Sequence, residues 1–93
     1  MYFKFEWDSI KAENNLKKHG ISFSEAKTVF LDDYARTKTD PDHSIMENRF
    51  IIEGMSNYNR LLVVSFTERN DKIRIINTRK STHKERKQYE EFI

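Results

Sequence analysis

Leu61-Leu62-Val63-Val64-Ser65-Phe66-Thr67-Glu68-Arg69-Asn70-Asp71-Lys72-Ile73-Arg74-Ile75-Ile76-Asn77-Thr78-Arg79-Lys80 is the stretch on which the reading of the chain turns. Its apolar opening, residues 61–67, is too short to span a membrane and reads as a strand buried on both faces in the middle of a sheet. The polar residues 68–71 reverse the chain into residues 72–80, where β-branched side chains alternate with cations, so the whole is a hairpin. Strand side chains point alternately to opposite faces, which puts Lys72, Arg74, Thr78 and Lys80 on one side and Ile73 and Ile75 on the other. A positively charged sheet face beside Glu68 is the expected result. Residues 82–89 then predict a helix, with Thr82 and Glu85 as the two halves of a capping box and further cations at Lys84, Arg86 and Lys87.

Working back from the hairpin, residues 49–55 and 34–39 read as strands, joined by the polar loop Asp40-Pro41-Asp42-His43-Ser44. Residues 2–7 alternate with Phe3, Phe5 and Trp7 on one side, a strand with one buried face. Asp8 stands where a helix N-cap is expected, and Ala12 and Leu16 mark the inner face of a helix that stops at His19, with Gly20 in the left-handed position after it. Ser22-Phe23-Ser24-Glu25 reads as a capping box opening a second helix that runs to about Phe30. The order β-α-α-β-β-β-β-α predicts an α+β domain over residues 1–93, an antiparallel sheet packed against helices on one face. The close helix pair is a poor DNA reader, because its second helix offers Lys27 but no Arg, Asn or Gln.

Charge is unevenly spread. Residues 1–33 hold five Lys/Arg against six Asp/Glu, residues 34–68 four against five, and residues 69–93 eight against four. A cationic final quarter suits a polyanionic partner. The chain has no cysteine, which removes disulfides, thiolate metal sites and cysteine nucleophiles. His19, His43 and His83 have no close Cys or His companion, Asp40-Pro41-Asp42-His43 has a proline where a compact metal loop would want freedom, and Gly20 and Gly54 do not form a phosphate loop, so neither metal nor cofactor is expected. The first eight residues lack the apolar centre of a secretion signal, so a cytoplasmic protein without membrane contact is expected.

RNA cleavage is the chemistry such a residue set can support without a metal. The substrate's own 2′-hydroxyl is the nucleophile, and the protein supplies a base, cations for the phosphorane and an acid for the departing 5′-oxygen. Glu68, His19, His83, Tyr89 and the cations Arg69, Arg74, Arg79 and Lys80 are the candidates; arginine's planar fork suits phosphate. Each has a plainer reading too. His19 also fits as a cation on its helix's negative end, Glu68 as a partner of Arg69 or Arg60, and Tyr89 as a ring packed on the sheet.

Phe5-Glu6-Trp7-Asp8, Asn15-Leu16-Lys17-Lys18-His19-Gly20-Ile21-Ser22-Phe23, Val29-Phe30-Leu31-Asp32, Glu47-Asn48-Arg49-Phe50, Thr67-Glu68-Arg69, Ile73-Arg74-Ile75-Ile76-Asn77-Thr78-Arg79-Lys80 and Glu85-Arg86-Lys87-Gln88-Tyr89-Glu90, in that order, resemble the BrnT family of bacterial toxins. The resemblance implies a RelE/ParE-like fold and an endoribonuclease that halts translation without a metal. It implies a BrnA-like ribbon-helix-helix antitoxin as partner, an RNA substrate, and operator DNA contacted only through the antitoxin complex, which represses its own operon. His19, Glu68, Arg74, Arg79, Lys80 and Tyr89 fall on motif positions and are the implied catalytic set. Arg49, Arg69, Lys84, Arg86 and Lys87 are the implied RNA contacts. A binding module without catalysis, or a gyrase inhibitor of the ParE branch, are the alternatives.

Overall fold

A computed structural model describes residues 4–40 and 48–93; the expected polar loop beyond Asp40, with His43, lies outside the described residues, as does Phe3. The elements follow the expected order: β1 (Phe5–Glu6), α1 (Ser9–His19), α2 (Phe23–Thr28) continued by a 3₁₀ turn (Val29–Leu31), β2 (Arg36–Thr39), β3 (Arg49–Met55), β4 (Leu61–Arg69), β5 (Lys72–Lys80) and α3 (His83–Glu90). Local chemistry sets the boundaries. The Asp8 carboxylate accepts from the N–H groups of Ile10 and Lys11 at the start of α1, and Gly20 closes it at φ 70° with its N–H on the Leu16 carbonyl. Asn70 and Asp71 both take positive φ, 49° and 65°, the two-residue reversal whose twist matches a hairpin. Glu68 and Arg69, expected in that turn, therefore extend β4.

The five strands lie in the order β1-β5-β4-β3-β2. β2 to β5 form an antiparallel meander, whereas β1 runs parallel to β5, Phe5 facing Ile73 and Glu6 facing Arg74. The sheet is thus mixed, because the helices between β1 and the meander return the chain in the sense that only a parallel partner can use. β4 has Leu62, Val64 and Phe66 on one face, packed with Ile21, Phe23, Ala26 and Val29 in the main core, and Phe30 meets Phe66 edge-on with ring centres 5.0 Å apart. Leu61 and Val63, on the opposite face, are also buried.

That second apolar face decides where α3 goes. The expectation put every helix on one face, but burying Leu61 and Val63 is worth about 1.5–3 kcal/mol each, and α3 packs over them, opposite α1 and α2. Tyr89, 3% exposed, anchors it and donates to Asp32 Oδ2 at 2.5 Å.

Candidate functional site

One residue changes which cations share a face. Ser65 lies opposite Asn77 while the next residue, Phe66, lies opposite Ile75, so Ile76 is an extra residue in β5, a β-bulge. Past the bulge the alternation of β5 is reversed. Arg79 and Asn77 join Lys72 and Arg74 on the α3 side of the sheet, whereas Thr78 and Lys80 turn to the side of α1 and α2 with Ile73 and Ile75. The simple alternation expected from sequence, with Thr78 and Lys80 beside Arg74, is corrected by this bulge. Lys80 instead lies near Glu25 of α2, whose carboxyl is held down chiefly by the Arg60 guanidinium, with Lys80 adding a smaller part.

The register across the sheet then puts Arg36, Lys38, Arg49, Arg69, Lys72, Arg74 and Arg79 on one face. Anions from elsewhere in the chain compensate part of that charge. Glu6 of β1 accepts from Arg74 Nη1 at 3.1 Å and lies 3.9 Å from Lys72 Nζ. Glu85 of α3 grips Arg79 with both oxygens, Nη1 to Oε1 at 2.8 Å and Nη2 to Oε2 at 2.9 Å. The Arg79 guanidinium holds the Glu85 carboxyl down at about 2, helped by the Thr82 N–H and opposed by burial. The sequence sets Glu68 beside the cations, but its register partner is Ile73, on the opposite face. Glu53 accepts from the Ser81 hydroxyl at 2.6 Å, and burial pushes its carboxyl up.

The edge of β5 carries the most suggestive concavity. β1 covers only Ile73 and Arg74, and beyond them α1 lies along β5. The buried Asn15 amide receives the Thr78 N–H at 3.1 Å and donates to the carbonyls of Thr78 at 3.0 Å and Ile21 at 3.1 Å. Between helix and strand runs an open groove of about 480 Å³ lined by Lys11, Asn14, Lys18 and His19 of α1 and by Ile76, Asn77 and Arg79 of β5. His19 stands there because Gly20 ends α1, and Arg79 lines the groove from the edge strand β5 while its guanidinium is held on the α3 side by Glu85. A histidine and an arginine thus line one cleft with two lysines beside them, residue types able to move a proton and to hold a phosphate.

The other candidates are distributed elsewhere. Glu68, Arg69 and Lys72 line a separate depression around the β4–β5 reversal. Arg49 and Arg74 flank Thr67 in one cross-strand row of the cationic face. Lys84, Arg86 and Lys87 are exposed on α3. The Tyr89 hydroxyl is bound to Asp32, and burial together with that carboxylate raises its pKa further. Asp32 stays ionised even so, since the N–H groups of Met55 and Tyr34 and the Tyr89 hydroxyl outweigh its burial. Lys11, Lys18 and Asn77 were not singled out by sequence reading. Their signal is the one-turn and two-turn spacing that sets Lys11, Asn14, Asn15 and Lys18 on one side of α1. Among the described residues no cluster of three or more His, Asp or Glu side chains could hold a metal, and no helix is long and apolar enough to cross a membrane.

The family model for the ribonuclease toxin BrnT of type II toxin-antitoxin systems matches residues 7–85. The chain belongs to the BrnT family. Its fold is similar to the crystal structure of the Brucella abortus ribonuclease toxin BrnT, with a TM-score of 0.66, covering 88% of this chain and 100% of that one at 22% sequence identity. No curated protein matches the chain. The BrnT-family match spans every element that forms the groove, from Trp7 before α1 to Glu85 in α3.

Proposed function

We propose that this BrnT-family chain is an endoribonuclease that cuts single-stranded RNA without a metal, with the scissile phosphate lying in the groove between α1 and β5. The observation that carries the reading is the meeting of His19 and Arg79 in one cleft at the border of a sheet face bearing seven cations. His19 takes the proton from the 2′-hydroxyl, whose oxygen attacks the neighbouring phosphorus in line. Arg79, Lys11 and Lys18 stabilise the extra negative charge of the phosphorane. The P–O5′ bond then breaks, the 5′-oxygen takes a proton from water in the open groove, and a 2′,3′-cyclic phosphate remains. Arg49, Arg69, Lys72 and Arg74 carry the rest of the strand across the sheet.

The chemistry is assigned to His19 and Arg79 ahead of Glu68, Lys80 and Tyr89, which line neither wall of the cleft. Cutting messenger RNA would halt translation in the cytoplasm. The same cationic face suits the acidic, folding-on-binding segment of a BrnA-like ribbon-helix-helix antitoxin, whose DNA-binding domain would let the complex repress its own operon. Purified protein incubated with single-stranded RNA in EDTA is expected to leave 2′,3′-cyclic phosphate and 5′-hydroxyl ends. A salt-sensitive shift with intact RNA would mean a binding module, and stable RNA with gyrase-dependent DNA damage in cells would mean the ParE-like alternative.

A further inference from the structure

Resting on the reading of the groove as the RNA site, we infer that Glu85 is the residue that positions Arg79 for phosphate. The guanidinium uses only some of its N–H groups. Glu85 takes one from each terminal nitrogen, and a second Nη1 proton goes to the Lys80 carbonyl at 3.2 Å. The Nε–H and the remaining Nη2–H have no partner among the described residues. These two protons lie on the same edge of the planar group, the edge that pairs side-on with two oxygens of a phosphate. Glu85 thus occupies the far edge and leaves the phosphate-binding edge open on a side chain that is still 41% exposed.

The clamp is itself built in. Glu85 Oε1 accepts the Thr82 N–H at 2.8 Å while the Thr82 hydroxyl accepts the Glu85 N–H at 3.2 Å, so the carboxylate is fixed by the first turn of α3 before it meets Arg79. A free arginine would have to give up side-chain freedom on meeting each substrate; this one has already lost it. The sequence motif read as a helix cap has a second use, setting the direction of the arginine in the cleft.

Single-turnover RNA cleavage by Glu85→Ala, Glu85→Gln, Arg79→Ala, the double variant Glu85→Ala/Arg79→Ala and Thr82→Ala tests this. Glu85→Ala should lower kcat about tenfold or more with KM changed less than threefold, because the ordered edge matters most as charge builds on the phosphorane. Glu85→Gln, which keeps the cap and one bond to Arg79, should recover part of that loss. In the Arg79→Ala background Glu85→Ala should cost nothing further, and Thr82→Ala, which loosens the cap but keeps the Thr82 N–H on Glu85, should lose less than Glu85→Ala. Wild-type or faster cleavage by Glu85→Ala, or an equal loss with and without Arg79, overturns the inference. Should Arg79→Ala itself cleave normally, the reading of the groove falls instead. Amide-type NMR of the Arg79 Nε–H then decides the clamp alone: an equally ordered signal in wild type and Glu85→Ala overturns it.

Discussion

Asn15 substitutes for a missing strand. β1 leaves the edge of β5 uncovered beyond Arg74, and the Asn15 amide meets the N–H and the carbonyl of Thr78 while also holding the Ile21 carbonyl after α1. Replacing it with leucine leaves three buried backbone groups unpaired and should cost about 3 kcal/mol, read from the urea midpoint. An apolar stripe predicts this helix's inner face as Ala12 and Leu16, yet Leu16 is 50% exposed and Asn15 is buried. Hydrophobic spacing has no way to register a polar side chain that is buried because it serves as a hydrogen-bond bridge. Glu25 departs for a similar reason. Ser22 caps α2 as expected, but the reciprocal carboxylate turns to Arg60 and Ser56, since a guanidinium 35 residues away outcompetes one backbone N–H. Glu85 gives the pH prediction at this scale. Its carboxyl sits at about 2 against an ordinary 4.5, so its contribution to stability is complete above the ordinary value and disappears as the pH falls from there towards 2. The gap in Tm between wild type and Glu85→Gln should therefore be widest near neutrality and close on acidification through that window.

The strands and helices were legible almost throughout, because apolar alternation, caps and turn residues are local signals. β3 and β5 begin and end where periodicity puts them. The bulge at Ile76 was not legible: Ile75-Ile76 offers two equivalent residues, and only pairing with β4 decides which one is extra. That one decision puts Arg79 on the face with Arg74, within reach of Glu85, and Lys80 on the other face. The side of the sheet taken by α3 was likewise fixed by pairings that periodicity does not register, one distant in sequence, Tyr89 with Asp32, and one across the strand–helix turn, Glu85 with Arg79. Gly54 lies beside Asp32, which accepts the Tyr89 bond. A Cβ there would stand 3.0 Å from the side chains of Ala35 and Val29 and 3.1 Å from Asp32 Oδ2, so Gly54→Ala should destabilise by about 1–3 kcal/mol in urea unfolding. Tyr89→Phe removes a bond that closes α3 onto the sheet and should lower stability by about 1–2 kcal/mol. Its cleavage rate should stay within threefold of wild type, since its hydroxyl is outside the groove.

For the molecule as a whole, the net charge of +2 conceals a division of labour. One sheet face and the end of α1 gather cations, and the opposite face holds the main core. RNA affinity should fall steeply with salt, and Arg49→Ala or Arg74→Ala should each flatten the log–log slope by about 0.7 while leaving the cleavage position unchanged. The central claim is that catalysis belongs to the cleft shared by His19 and Arg79 and not to the opposite sheet face. Single-turnover cleavage in EDTA by His19→Ala, Arg79→Ala and Lys80→Ala, with melting curves to verify folding, tests it most directly. Losses of about a hundredfold or more are expected for the first two, and a rate within twofold of wild type for Lys80→Ala. A folded His19→Ala or Arg79→Ala protein that still cleaves at the wild-type rate, or a Lys80→Ala protein that does not cleave, would contradict it.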